Sequence, residues 1–154
     1  MRFILFALIV LPGPSTHGQS AYNADSLEAI FDTLPDSIRI REANALSRYY
    51  LDIDFEKSIR YARVAYSLIE STDNDYDVGH TYINWAIAQY NFGRYDSSLF
   101  YNFKALRIYQ ALSDTSKIAT AYNNISGACN ALGDHSSAVY YAYKAFNIHY
   151  ARKT

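Results

Sequence analysis

Residues 82–105 read YINWAIAQYNFGRYDSSLFYNFKA, and the same pattern returns at residues 122–145 as YNNISGACNALGDHSSAVYYAYKA. Gly93 and Gly133 hold equivalent places in the two copies, forty positions apart, and each separates two stretches with apolar residues at helical spacing. A constant offset over both stretches and the glycine between them indicates one helical hairpin copied in tandem. A unit of this kind buries its apolar face only against its neighbours, so the sequence predicts an all-α stack of helix pairs.

The composition fits a single ordered domain. Half of the 154 residues are hydrophobic and 19% are charged, with only 3 prolines and 6 glycines. The formal net charge is −1, and the 14 basic residues form no cluster of the kind that neutralises phosphates, so nucleic acid is not predicted as a partner. Cys129 is the only cysteine, so the fold contains no internal disulfide and depends on packing.

The first twenty residues have the composition of a secretory signal peptide. Arg2 precedes an unbroken apolar run over residues 3–11, and the small-residue stretch Gly18-Gln19-Ser20 follows shortly after it. The apolar run is about half as long as a permanent transmembrane helix requires. We therefore predict a signal peptide over residues 1–20, cleaved after Ser20 or, alternatively, after Gly18, and an exported protein that is periplasmic or extracytoplasmic.

Residues 21–36 form a lead-in segment whose apolar residues fall at helical spacing behind the capping residues Asp25 and Ser26. Three helix pairs follow, in repeats of about 37–74, 77–114 and 117–154. We predict their six helices over residues 37–51, 55–69, 78–92, 95–112, 117–132 and 136–151. Small residues such as Ala105 and Ala145 recur where the two helices of a hairpin approach most closely, with large residues one turn away.

The order of small and aromatic residues within a repeat resembles the tetratricopeptide repeat. In the third pair the matching positions are Tyr122, Ile125, Ser126, Cys129, Ala138, Ala142 and Ala145. In the second pair they are Tyr82, Trp85, Ala86, Gln89, Ser98, Asn102 and Ala105. The first pair matches less well, and the period is forty residues instead of thirty-four. The resemblance covers about residues 37–151 and implies a right-handed superhelical solenoid of three hairpins, with the lead-in helix as its cap.

The longer period resembles the repeats of exported sensor kinases and regulators of Bacteroidota-type bacteria. That resemblance implies a protein–protein interaction scaffold, without enzymatic activity or a cofactor, that forms the extracytoplasmic sensory part of a longer signalling protein. Its partner would be a protein or peptide, or further repeats of the same protein, and membrane attachment would come only from a helix after Thr154. A stand-alone exported peptide-binding adaptor and the non-catalytic region of a sensor histidine kinase remain as alternatives.

The last predicted helix presents apolar residues that a following pair would normally cover. We expect Phe146, Ile148 and Tyr150 to be partly exposed for this reason. An exposed apolar surface on a repeat array attracts a partner or a second copy, so self-association of the isolated chain is also expected.

Residue types that carry catalysis or bind metals do not form a recognisable motif. The acidic stretch at residues 73–77 imitates the start of a calcium loop, but Val78 and Asn84 stand where that loop needs glycine and glutamate. The four histidines are scattered, without the close helical spacing of a zinc site. Cys129 lies where the repeat places a core residue, which predicts a buried thiol instead of a nucleophile.

In the family that the repeat resembles, the first helices of the pairs line a concave groove. Helical spacing predicts that nine residues of those helices face it, and these are Ala43, Ser47, Tyr50, Ile83, Ile87, Tyr90, Asn123, Gly127 and Asn130. Tyrosine rings give contact area and asparagine amides satisfy a peptide backbone, so the set favours peptide recognition. We expect this groove to lack the basic residues that would hold a terminal carboxylate.

Overall fold

The computed structural model describes residues 17–151, and the side chains among them from Ala24 onward. Residues 1–16, which carry most of the predicted signal peptide, lie outside the described part, as do the last three residues of the third predicted repeat. The predicted cleavage positions Gly18 and Ser20 fall within the first helix. Between residues 17 and 151, no helix is both long and apolar enough to cross a membrane.

The described part of the chain is all-α, as the sequence predicts, and contains no strand. Its seven α-helices are α1 (His17–Ile30), α2 (Asp36–Tyr50), α3 (Phe55–Ser67), α4 (Asp75–Asn91), α5 (Tyr95–Ala111), α6 (Thr115–Ala131) and α7 (His135–Ala151). Two short 3-10 helices, Phe31–Thr33 and Ile69–Ser71, follow α1 and α3. Helices α2 and α3, α4 and α5, and α6 and α7 pack as adjacent pairs, and α5 also packs on α6.

Side-chain caps decide where the helices begin. The Oδ1 atom of Asn74 accepts hydrogen bonds from the amides of Tyr76 and Asp77 at 2.9 and 3.3 Å. Asp114 accepts from the amide of Lys117 at 3.0 Å. These caps satisfy amides that have no partner within the helix, so α4 and α6 begin two or three residues earlier than predicted, at Asp75 and Thr115.

A left-handed residue ends each of the helices α4, α5 and α6. Gly93 has a φ of 72°, Ser113 of 55° and Gly133 of 81°. The three turns stand twenty residues apart, and in each the next residue donates its amide hydrogen bond back across the helix end, as Arg94 does to the carbonyl of Gln89 at 2.9 Å. The two glycine turns were predicted from the sequence, whereas the turn at Ser113 was not.

The core lies in two clusters. One joins α1, the first 3-10 helix, α2 and α3, and the other joins the pairs α4–α5 and α6–α7. Small residues sit at the closest helix contacts, since Ala105 and Ala145 are 0% and 1% exposed. Stacked rings repeat at the predicted offset, with Tyr82 against Tyr101 and Tyr122 against Tyr141.

The lead-in helix is fixed to the first pair by one polar cluster. Glu28 of α1 accepts hydrogen bonds from the Tyr61 hydroxyl at 2.6 Å and from Lys57 Nζ at 2.9 Å. Phe31 packs edge-on against the Tyr61 ring, and Tyr50 stacks on the same ring from α2. These contacts explain why Tyr50 is only 5% exposed.

Candidate functional site

Helices α4, α5 and α6 line an open cavity of about 170 Å³, which we call the amide cavity. It is lined by Ile87, Tyr90, Ser98, Asn102, Asn123, Asn124 and Gly127. Four of the nine predicted groove residues therefore lie together, namely Ile87, Tyr90, Asn123 and Gly127. Asn102 and Asn124 were not among the predicted groove residues, yet both carry buried polar atoms without a partner.

Asn102 is 1% exposed and uses only half of its hydrogen-bonding capacity. Its Nδ2 atom donates to the carbonyl of Ser98 at 3.0 Å, while its Oδ1 atom is buried without a partner. On the adjacent helix, Nδ2 of Asn124 is also buried without a partner. A buried polar group without a hydrogen bond costs about 1–3 kcal/mol, so an unpartnered acceptor and an unpartnered donor on residues that line one cavity are candidates for hydrogen bonds to a ligand.

Asn124 is the last of three asparagines that occupy equivalent positions forty residues apart. Nδ2 of Asn84 donates to the backbone carbonyl and to Oδ1 of Asn44, each at 3.1 Å. Nδ2 of Asn44 in turn donates to the carbonyl of Asp77 at 3.1 Å and to Oγ1 of Thr81 at 2.9 Å. The first two amides thus tie α2 to α4, whereas Nδ2 of Asn124, a residue that lines the amide cavity, has no partner. The recurrence of asparagine at positions 44, 84 and 124 was the sequence signal that could have revealed these amides.

The remaining predicted groove residues lie elsewhere. Ala43, Ser47 and Tyr50 are buried in the first pair, at 0%, 3% and 5% exposure, so the expectation that they face an open groove is corrected. The physical reason is that Ala43 and Tyr50 belong to the core cluster that α1 and the first 3-10 helix complete. Asn130 is exposed and interacts with Nδ1 of His135 across the α6–α7 turn at 3.0 Å, instead of lining the cavity.

A second cavity, of about 290 Å³, lies between α2, α4 and α6, and we call it the cationic cavity. Its lining consists of Arg41, Asn44, Ala45, Arg48, His80, Ile83, Asn84, Tyr109, Lys117 and Thr120. Ile83, a predicted groove residue that is 7% exposed, belongs to this cavity instead of the amide cavity. Three basic side chains, Arg41, Arg48 and Lys117, are part of this lining.

The electrostatics of the cationic cavity follow from burial and from its basic residues. Burial, together with the positive charges of Lys117 and Arg48, lowers the pKa of His80 to about 4, so this imidazole is neutral at neutral pH. Burial and the charge of Arg48 also lower the pKa of Lys117. Burial raises the pKa of Tyr109, and the nearby Asp114 carboxylate adds to that effect, so the phenol keeps its proton as a hydrogen-bond donor.

Other reactive groups are not gathered into a site in the described part of the chain. Among residues 17–151, no group of three or more His, Cys, Asp or Glu side chains is placed to hold a metal ion. Cys129 is 5% exposed, as predicted, and burial raises the pKa of its thiol. The predicted partial exposure of the last helix is confirmed, since Phe146 and Tyr150 are 61% and 62% exposed and Ile148 is half-buried.

No protein-family model matches this chain, and no curated protein matches it.

Proposed function

We propose that this chain is an interaction scaffold that binds a peptide segment of a partner protein in the amide cavity. The observation that carries the proposal is the pair of unpartnered atoms, Oδ1 of Asn102 and Nδ2 of Asn124, in one cavity. A peptide group has one N–H donor and one C=O acceptor, which is the complement of this pair. A bound peptide backbone would offer a partner to each of these two atoms.

The rest of the lining suits a peptide side chain. Tyr90 is 39% exposed and its ring packs against Tyr95 with centroids 5.1 Å apart, so it presents a supported aromatic surface. Ile87 adds apolar surface, and Gly127 leaves open space because, beyond its chain neighbours and the backbone of its own helix, no atom lies within 4 Å of the place where its β-carbon would be. Binding of this kind uses a few anchors that carry most of the energy.

The repeat pattern gives the proposal its wider setting. We propose that the helix pairs are tetratricopeptide-like hairpins arranged as a right-handed solenoid, and that the chain works as the extracytoplasmic sensory part of a signalling protein. The support comes from the forty-residue offset, the left-handed turns and the adjacent pairing of the helices. In this setting the bound peptide is the signal or the partner that the scaffold recognises.

The test is selection of binding peptides from a random display library on the full chain, followed by calorimetry with point variants. Asn124→Asp removes the open donor and Tyr90→Ala removes the aromatic surface, and each is expected to weaken a selected peptide at least tenfold. Asn147→Asp, on the exposed surface of α7, is the matched control and should leave affinity unchanged. Selected peptides that bind all three variants equally well would place the peptide site elsewhere.

A further inference from the structure

The cationic cavity concentrates positive charge from two helices. Arg41 and Arg48 enter it from α2 and Lys117 from α6, and no acidic side chain is among the residues that line it. Arg41 forms an ion pair with Glu42, its Nε atom lying 3.1 Å from Oε1. For Arg48 and Lys117, no carboxylate within the described residues lies at ion-pairing distance, so both charges are available to a ligand.

Two acidic residues, Asp114 and Asp77, act on groups of the cavity but do not line it. Asp114 caps α6 by accepting from the backbone amide of Lys117, and its charge acts on His80, Tyr109 and Lys117 from outside the lining. Asp77 is 7% exposed on the first turn of α4. These carboxylates reduce the positive potential of the cavity, but neither of them belongs to its lining.

Two buried polar atoms in the cavity lack partners. The hydroxyl of Tyr109 has none, although the residue is 0% exposed, and Nε2 of the neighbouring His80 has none either. The two rings lie with centroids 6.1 Å apart. A fully buried phenol without a partner is rare because it forfeits its hydrogen bond with water. Its O–H group is a donor in a cavity that two unpaired cations also line, and that combination fits an acceptor that carries negative charge.

The apolar part of the lining restricts which anion fits. Ile83 and Ala45 stand among the polar residues, and the cavity volume of about 290 Å³ lies at the lower end of the range for small-molecule pockets. We propose that the cationic cavity binds a small organic acid, with its carboxylate held by Arg48 and Lys117 and its other oxygens within reach of Tyr109. This site is separate from the amide cavity and does not depend on the peptide-binding proposal.

The experiment is calorimetric titration of the full chain with a panel of free carboxylic acids at low salt, namely acetate, succinate, glutarate, citrate and benzoate. Inorganic phosphate and a blocked acidic peptide are run in parallel. We expect at least one carboxylic acid to bind. Arg48→Gln and Lys117→Gln should each reduce its affinity at least tenfold, and Tyr109→Phe should reduce it several-fold. Lys104→Gln is the matched control, because Lys104 lies over the rings of Tyr82 and Phe100 and not in the cavity.

A second readout comes from the imidazole of His80, followed by NMR as a function of pH. The groups that face it are Lys117, Arg48, Asp114, Tyr109 and Tyr76. A bound carboxylate adds negative charge to this set and should raise the pKa of His80 from its value of about 4 in the free protein. Thermal melts of every variant establish that it is folded before binding is measured.

Three results would overturn the proposal: no acid in the panel binds, only phosphate or the acidic peptide binds, or Arg48→Gln and Lys117→Gln bind as tightly as the unchanged chain. Loss of organic-acid binding in those two variants, with selected peptides still bound in the amide cavity, would support it. Peptide binding that fails while organic acids still bind would contradict the peptide-binding proposal alone.

Discussion

The ring of Tyr109 packs directly against the backbone of α4 at Gly79, where an added β-carbon would stand 2.8 Å from Cε1 and 3.2 Å from the hydroxyl of Tyr109. Glycine at this position therefore allows the ring of Tyr109, a residue of α5 that also lines the cationic cavity, to lie against α4. The equivalent position in the next repeat is Ala119, so the arrangement occurs once in the two best-matched repeats.

Gly79→Ala is expected to destabilise the protein by about 1–3 kcal/mol, since the buried ring of Tyr109 must move to admit the methyl group. In a helix alanine is more favourable than glycine by about 1 kcal/mol, so helix propensity alone would make Gly79→Ala stabilising, the opposite of the change in stability expected here. Gly127→Ala is the matched control, because that helical glycine has open space around its β-carbon position and should become more stable. Urea denaturation measures both changes, and greater stability of Gly79→Ala would show that Tyr109 repacks freely.

Ser113→Gly is expected to stabilise the protein by about 1 kcal/mol, because Ser113 has a φ of 55° and glycine adopts that conformation without a steric cost. Gly93→Ala and Gly133→Ala should have the opposite effect of similar size, since both glycines also have positive φ. Thermal melting of the three variants checks the set. Equal melting temperatures for all of them would mean that these turns do not limit stability.

The helix pairs were predictable because the turn residues are visible in the sequence. A glycine between two apolar stretches signals a left-handed helix end, and two such glycines forty residues apart fixed the period. Ser113 was missed because nothing in its residue type requires positive φ. The turn there depends on the amide of Asp114 donating to the carbonyl of Tyr109, which no local pattern reveals.

The candidate sites were predictable only where repeats share their surroundings. Position 43 is buried by a segment outside the repeat, whereas its equivalent, position 123, is exposed and lines the amide cavity. The cationic cavity had no repeat signal at all. Arg48 corresponds to Ala88 forty residues later, and Lys117 to Asp77 forty residues earlier. Because the basic residues do not recur in the repeats, comparison of the copies could not predict that they line one cavity.

Acid is expected to destabilise the protein through His80. Burial, Lys117 and Arg48 lower its pKa to about 4 in the folded state, below the ordinary value of 6.5. Between these two values the unfolded chain binds more protons than the folded one, so stability falls as pH drops from about 6.5 towards 4. His80→Gln should flatten this part of the stability curve, while the same change at His149, which is exposed on α7, should not. If the stability of His80→Gln depends on pH in the same way as that of the unchanged protein, His80 is not the cause of the acid sensitivity.

The exposed face of α7 is expected to make the isolated chain self-associate. Val139, Tyr143 and Phe146 are 71%, 63% and 61% exposed, an apolar surface on a helix whose one formally charged side chain is Lys144. On α5, the residue equivalent to Phe146 is Leu106, which is 6% exposed because it lies in the core cluster that α6 helps to form. The α7 face thus repeats a surface that binds a helix elsewhere in the fold, and a second copy of the chain supplies such a helix in its own α7.

Sedimentation equilibrium over a range of concentrations measures this association directly. Phe146→Glu places a charge at the centre of the surface and should shift the chain to monomer, because a buried unpaired carboxylate is strongly unfavourable. Phe92→Glu is the matched control, since Phe92 is 48% exposed at the turn between α4 and α5. A chain that stays monomeric at every concentration, or an association that Phe146→Glu leaves unchanged, would show that copies of this protein do not meet through α7.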